Sequence, residues 1–196
     1  MQIMRTIPIL LLVFVCSGIC VGQQPGPEFW RKLTCQPFEP RTTLEALEMK
    51  RETVVIRGFS QITTVDVRGV RIDAVEMRVL GGPGRAKGVV VALRESADRI
   101  EDNRAFVDYE ELDPLLRAID SLTAVDENST KLVGFEAHYH TRGDLELKVF
   151  RQTQRLTAVT IQTGICTRAT ESLSLDELAK VRAMILEAKT RLDELR

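Results

Sequence analysis

Apolar and polar residues alternate with a period of two along much of this chain, and twice the period lengthens to that of a helix. From Thr53 to Glu95 the pattern is β. Val54, Val55 and Ile56 begin a strand that Gly58 interrupts. Residues 62–67 and 70–80 are rich in β-branched side chains and are separated by Arg68-Gly69, a hairpin signal. Gly81-Gly82-Pro83-Gly84 reads as a turn, and Val89, Val90, Val91 and Leu93 as the next strand. Connections this short predict an antiparallel meander.

A short strand at 105–107 leads into the first helical pattern, with Leu112, Leu115, Leu116, Ile119 and Leu122 on one face. Two starts fit it. Asp113 is an N-cap followed by Pro114, or Asp108 and Glu111 form a capping box and Pro114 bends the helix.

The second half repeats the plan. Residues 132–141 and 145–150 are strands around a Gly143 turn, and 156–163 is a third. Ser174 with Glu177 is a capping box. It opens a helix with Leu178, Val181, Ile185, Ala188, Leu192 and Leu195 in a heptad-like stripe. The stripe suits a helix lying across a sheet, and it also suits a homodimer seam.

The two helix starts resemble each other: Tyr109-Glu110-Glu111-Leu112 with Leu115 and Ile119, against Leu175-Asp176-Glu177-Leu178 with Val181 and Ile185. The predicted fold is therefore α+β, a duplicated β-meander plus helix, with antiparallel strands in two groups each followed by a helix. The expected core is Val55, Ile72, Val91, Leu112, Leu116, Ile119, Phe135, Tyr139, Leu147, Ile161, Leu178, Val181 and Ile185.

The N-terminus changes the picture of where the chain resides. Arg5 precedes an apolar run over residues 7–15, followed by Ser17, Gly18 and Gly22. The run is shorter than the ~20 residues that span a bilayer. The pattern is that of a cleavable signal peptide over 1–22. Residues 23–52, with Pro25, Pro27, Pro37 and Pro40, read as a Pro-rich, mostly irregular lead-in docked by Trp30 and Leu33. Residues 53–196 form a single α+β domain with halves 53–124 and 130–196. The expected location is secreted or periplasmic, and the mature chain is read as soluble.

Charge narrows the partners. The chain has 27 basic and 28 acidic residues. Losing Arg5 leaves a slightly acidic chain with no general pull toward nucleic acid or an anionic membrane. Cysteine usage points the same way as the leader. Cys16 and Cys20 leave with it, and Cys35 and Cys166 remain, an even pair in a disulfide-permissive compartment. Their bridge would contribute up to about 5 kcal/mol in the chain-entropy model.

Candidate chemistry is sparse. The two histidines lie in Phe135-Glu136-Ala137-His138-Tyr139-His140. On a strand, Glu136, His138 and His140 share a face, with the imidazoles about 6.5–7 Å apart at their α-carbons. That set could hold part of a zinc site. A three-residue loop, Arg142-Gly143-Asp144, keeps one face of the hairpin apolar and sets His140 opposite Glu146 and His138 opposite Lys148. The same three residues spell the integrin-binding tripeptide, and a polar-flanked glycine is also what a turn needs. Gly82 to Gly88 has the flavour of a phosphate loop but lacks the G-K-[ST] ending and a following helix. Residues 23–196 contain no G-x-S-x-G, H-E-x-x-H or C-x-x-C.

Three stretches carry a family resemblance: Tyr109-Glu-Glu-Leu-Asp-Pro-Leu-Leu-Arg-Ala-Ile, Phe135-Glu-Ala-x-Tyr-x-Thr-x-Gly-Asp-Leu, and Ser174-Leu-Asp-Glu-Leu. Together they resemble a pattern that recurs in uncharacterised exported bacterial proteins, which brings no activity with it. The strands-then-helix duplication is similar to the whirly and PUR single-strand nucleic-acid-binding folds, and this chain departs from them in its export signal and acidic balance. The favoured function is an exported, non-catalytic binding or structural module without a cofactor. The alternative is a metal-dependent hydrolase using Glu136, His138 and His140.

Overall fold

The computed structural model describes residues 39–93, 103–126, 128–153, 156–164 and 168–195. The signal-peptide reading and the Cys35–Cys166 pair, with Trp30 and Leu33, fall outside the described residues.

The chain forms two antiparallel four-stranded sheets, each followed by a helix, as the duplication predicts. A short helix α1 (Thr43–Glu48) precedes β1 (Val55–Gln61), β2 (Val70–Val79), β3 (Arg85–Leu93) and β4 (Arg104–Asp108). A 3₁₀ turn (Tyr109–Glu111) leads into α2 (Leu112–Thr123). The second sheet holds β5 (Phe135–His140), β6 (Glu146–Thr153), β7 (Leu156–Thr163) and β8 (Ala169–Leu173), and α3 (Leu175–Asp193) closes the chain. Both sheets are meanders in sequence order.

The two halves are interlocked. The main sheet partners of α3 are β2 and β3 of the first sheet, whereas α2 lies against β5 and β6 of the second. One continuous core results, with Ile72, Val89 and Val91 from the first sheet, Leu147, Val149 and Ile161 from the second, and the apolar faces of both helices. Neither half can bury its apolar face by itself. At about 1.5–3 kcal/mol for each large aliphatic side chain fully buried, this shared core is the main source of stability.

The α3 stripe is spent inside that core. Leu178, Val181, Ile185 and Ala188 are fully buried against the chain's own sheets and Leu192 is nearly so, the packing expected of a helix lying across a sheet. Leu195 lies beyond the helix end and is exposed, and Met184 is buried in its place. Val55, Phe135 and Tyr139 are only partly buried, and the other ten expected core residues are buried.

Four local expectations need correction. First, β1 runs unbroken through Gly58, which pairs with Glu76, and residues 62–67 are not a strand. Ile62 and Val67 instead drop into the core as loop anchors, each 2% exposed. The Arg68-Gly69 turn does form, closed by the Val70 N–H donating to the Val67 carbonyl at 3.0 Å, with Gly69 at φ 75. Second, the lead-in contains α1, which Thr42 and Glu45 cap reciprocally while Leu44 and Leu47 bury against the first sheet. Third, β5 begins at Phe135, leaving Leu132 75% and Val133 67% exposed. Fourth, β8 follows β7; on its inward side Glu171 stands between Ala169 and Leu173, too weak an apolar pattern to announce a strand.

Neither predicted start of the first helix occurs. Asp108 directs its carboxylate elsewhere, accepting the Thr43 N–H at 2.7 Å and the Leu44 N–H at 3.1 Å at the start of α1. Pro114 sits in the first turn of α2, where its missing N–H has no intrahelical partner to lose.

Candidate functional site

Alternation puts one side of each second-sheet strand in the core and the other toward solvent. The inner residues are Leu147, Val149, Val159 and Ile161. The outer face follows from the register. His140, Glu146, Gln162 and Thr170 form one cross-strand row; His138, Lys148, Thr160 and Ser172 form the next; Glu136, Phe150 and Ala158 form the third. The predicted hairpin register is therefore the observed one. The loop closes with the Thr141 N–H donating to the Leu145 carbonyl at 3.0 Å, and Asp144 takes the left-handed position at φ 60.

Among the described residues no helix covers this outer face. The first sheet differs: α1 packs Leu44 and Leu47 onto Val75, Met77, Val79, Val90 and Phe106 on its outer side. The second-sheet face is a broad polar surface of imidazole, hydroxyl and amide groups.

Its charges are paired internally. The Lys148 ammonium lies 3.1 Å from Glu136 and 3.5 Å from Glu146, and the bond to Glu136 holds the lysine pKa above its usual value. Arg168 approaches Glu146 at 3.9 Å. Two cations thus balance two carboxylates, with the imidazoles at the rim. Gln162 donates its side-chain amide to the Thr170 hydroxyl at 2.8 Å.

Glu136, His138 and His140 do share a face. The imidazole centroids are 5.2 Å apart and edge-on, His138 Nδ1 is 3.8 Å from Glu136, and His140 Nε2 is 3.7 Å from Glu146. The Lys148 ammonium stands between the two carboxylates, where a metal ion would need them. Among the described residues no group of three or more histidine, cysteine or acidic side chains is arranged to hold a metal.

The Arg142-Gly143-Asp144 tripeptide is built into a junction and not offered at a free tip. Arg142 donates its backbone N–H to Glu111 at 3.0 Å and its guanidinium to Glu110 at 2.9 Å; a hydrogen bond from Glu110's own backbone N–H, and after it the Arg142 bond, keep the Glu110 carboxyl below its usual pKa. Asp144 pairs with Arg41 at 2.6 Å. Gly143 lies against the Phe106 backbone of β4 and bridges the two sheets. The Gly82 to Gly88 segment is the β2–β3 turn and the start of β3, with Arg85 bound to Glu76 at 2.8 Å.

Sequence reasoning found the histidine strand but missed the outer residues of β8, Thr170 and Ser172, which complete the surface. The available signal was the hydroxyl alternation Thr170, Ser172 just ahead of the Ser174 cap. No protein-family model matches the chain, and no curated protein matches it significantly.

Proposed function

We propose that this chain is an exported, non-catalytic binding module and that the outer face of β5–β8 is its recognition surface. One observation carries the reading. Of the two outer sheet faces, one is covered by α1 and the other is left open among the described residues, lined with hydrogen-bonding side chains whose formal charges cancel. Such a face suits an uncharged ligand rich in hydroxyl or amide groups. A charged ligand would need to displace the Lys148 ion pairs. Export rests on the signal-like residues 1–22, and among the described residues no helix is long and apolar enough to cross a membrane. In an oxidising compartment the Cys35–Cys166 bridge would tie the lead-in to the domain.

The test is capture from the native compartment on immobilised protein, run beside a Thr160→Arg variant that obstructs the centre of the face. Ligand retained by the native chain, lost by the variant and insensitive to salt supports the reading, because a neutral face is not screened. Retention that is equal on both overturns it. Metal analysis decides against the hydrolase alternative or for it: stoichiometric zinc, lost in His138→Ala with His140→Ala, would favour Glu136, His138 and His140 as a metal centre. Mass spectrometry of the cell-derived protein should place the mature N-terminus between Cys20 and Gln24, and an intact Met1 in the mature pool would refute export by cleavage.

A further inference from the structure

Among the described residues, nothing pairs with the β1 edge of the first sheet. The Leu80 N–H donates to the Val54 carbonyl and the Ile62 N–H to the Ile72 carbonyl, both at 2.9 Å, and both pairs continue the β1–β2 register. In an antiparallel ladder, residues alternate between bonding inward and pointing outward. Ile56, Gly58 and Ser60 therefore bond to β2, and the backbone groups of Val55, Arg57, Phe59 and Gln61 face away from the sheet. Among the described residues only Arg191 reaches these outward groups, at the Gln61 carbonyl, 3.2 Å away.

Exposed edges are usually protected by lysine, proline, a bulge or a covering element. The seven residues of β1 include no lysine or proline, and their register is unbroken. Apolar side chains surround the edge instead: Val54 is 61%, Ile56 40%, Phe59 64% and Leu80 63% exposed. The only charge in β1 is Arg57, already paired with Glu48 at 3.5 Å.

We propose that β1 pairs antiparallel with β1 of a second copy of this chain, about a two-fold axis through Gly58. In that register Arg57 stands opposite the partner's Phe59, an aromatic ring that attracts a guanidinium. Val55 stands opposite the partner's Gln61. The two Phe59 rings become diagonal neighbours about 7–8 Å apart at their α-carbons, within aromatic reach. The two Arg57 side chains are likewise diagonal and not opposite, each paired with its own Glu48, whereas a register centred on Arg57 would set two guanidinium groups directly opposite. Glycine on the axis sits at a non-hydrogen-bonded position, where strands approach to about 4.5 Å. The product is a continuous eight-stranded sheet across the dimer, a self-complementary contact of the kind two-fold symmetry requires. The interface does not involve the outer face of β5–β8, so it stands apart from the proposed recognition surface.

Sedimentation of the purified chain tests this. The native protein should sediment as a dimer, Phe59→Lys as a monomer with an unchanged circular dichroism spectrum, and Phe59→Tyr as a dimer. A second variant covers misfolding of the first. A β-carbon at Gly58 would meet nothing closer than the Glu76 carbonyl at 3.9 Å, so Gly58→Cys fits the fold. On oxidation it should give a covalent dimer that the native chain, with its own cysteines, does not. A monomeric native protein, a dimeric Phe59→Lys, or no added cross-link in Gly58→Cys would overturn the proposal.

Discussion

A β-carbon placed on Gly143 would lie 1.9 Å from the carbonyl oxygen of Phe106. That approach joins the β5–β6 turn to β4 and so joins the two sheets. The glycine is needed for closeness and not for a left-handed backbone, since Asp144 takes that conformation. Backbone cannot move aside as a side-chain tip can. Gly143→Ala should therefore lower stability by about 1–3 kcal/mol, the range for overpacking a close contact. Urea denaturation measures it. A midpoint unchanged from the native protein would mean that the junction is looser than described.

Asp108 works across the fold, capping a helix that precedes it by more than sixty residues in sequence. Its two accepted N–H bonds satisfy groups that α1 cannot satisfy internally. Asp108→Ala should cost about 1–2 kcal/mol, the range for a lost N-cap. It should also increase hydrogen exchange at Thr43 and Leu44. Asp108→Asn keeps an acceptor and should recover part of the loss. Equal exchange in all three proteins would exclude the capping role.

The repeated architecture was legible because strands and helices differ in period. Leu112, Leu116 and Ile119 could only share a helical face, and Tyr139 opposite Leu147 could only share a strand face. The histidine register was legible for the same reason, since a slip of one residue would bury His138 and expose Tyr139. What escaped was set by distant contacts. Ile62 and Val67 look like strand residues because core anchors in a loop are equally apolar. α1 is short and hidden among prolines, and it needs Asp108 to complete its N-terminus. The interlocking of the halves has no local signature, because the α3 stripe is the same whichever sheet receives it.

Acid should loosen the pairing of the two helices. Arg182 donates to both oxygens of Asp120, at 2.5 and 2.8 Å, and these bonds hold the carboxyl below its usual 3.8. A group whose folded pKa is depressed contributes stability that is present above its unfolded pKa and lost as pH falls through the folded one. The α2–α3 tie is thus intact at neutral pH and lost below 3.8. Glu187, bonded by Thr64, and Asp193, bonded by Tyr109, follow the same sign. Glu45 has the opposite sign: burial raises its carboxyl above 4.5, so its contribution is present below 4.5 and falls away as pH rises through the folded value. Asp120→Asn should be less stable than the native protein at neutral pH and lose less on acidification. Parallel acid-unfolding curves would contradict this.

The recognition surface can be read directly by nuclear magnetic resonance. Isotope-labelled protein titrated with ligand captured from the native compartment should show amide shifts at His138, His140, Lys148, Thr160, Gln162, Thr170 and Ser172. The same titration of Thr160→Arg should leave those amides unmoved while its remaining spectrum stays that of the folded chain. Shifts confined to α1, α2 or the β1 edge, with β5–β8 silent, would contradict the assignment of the open sheet face as the binding site.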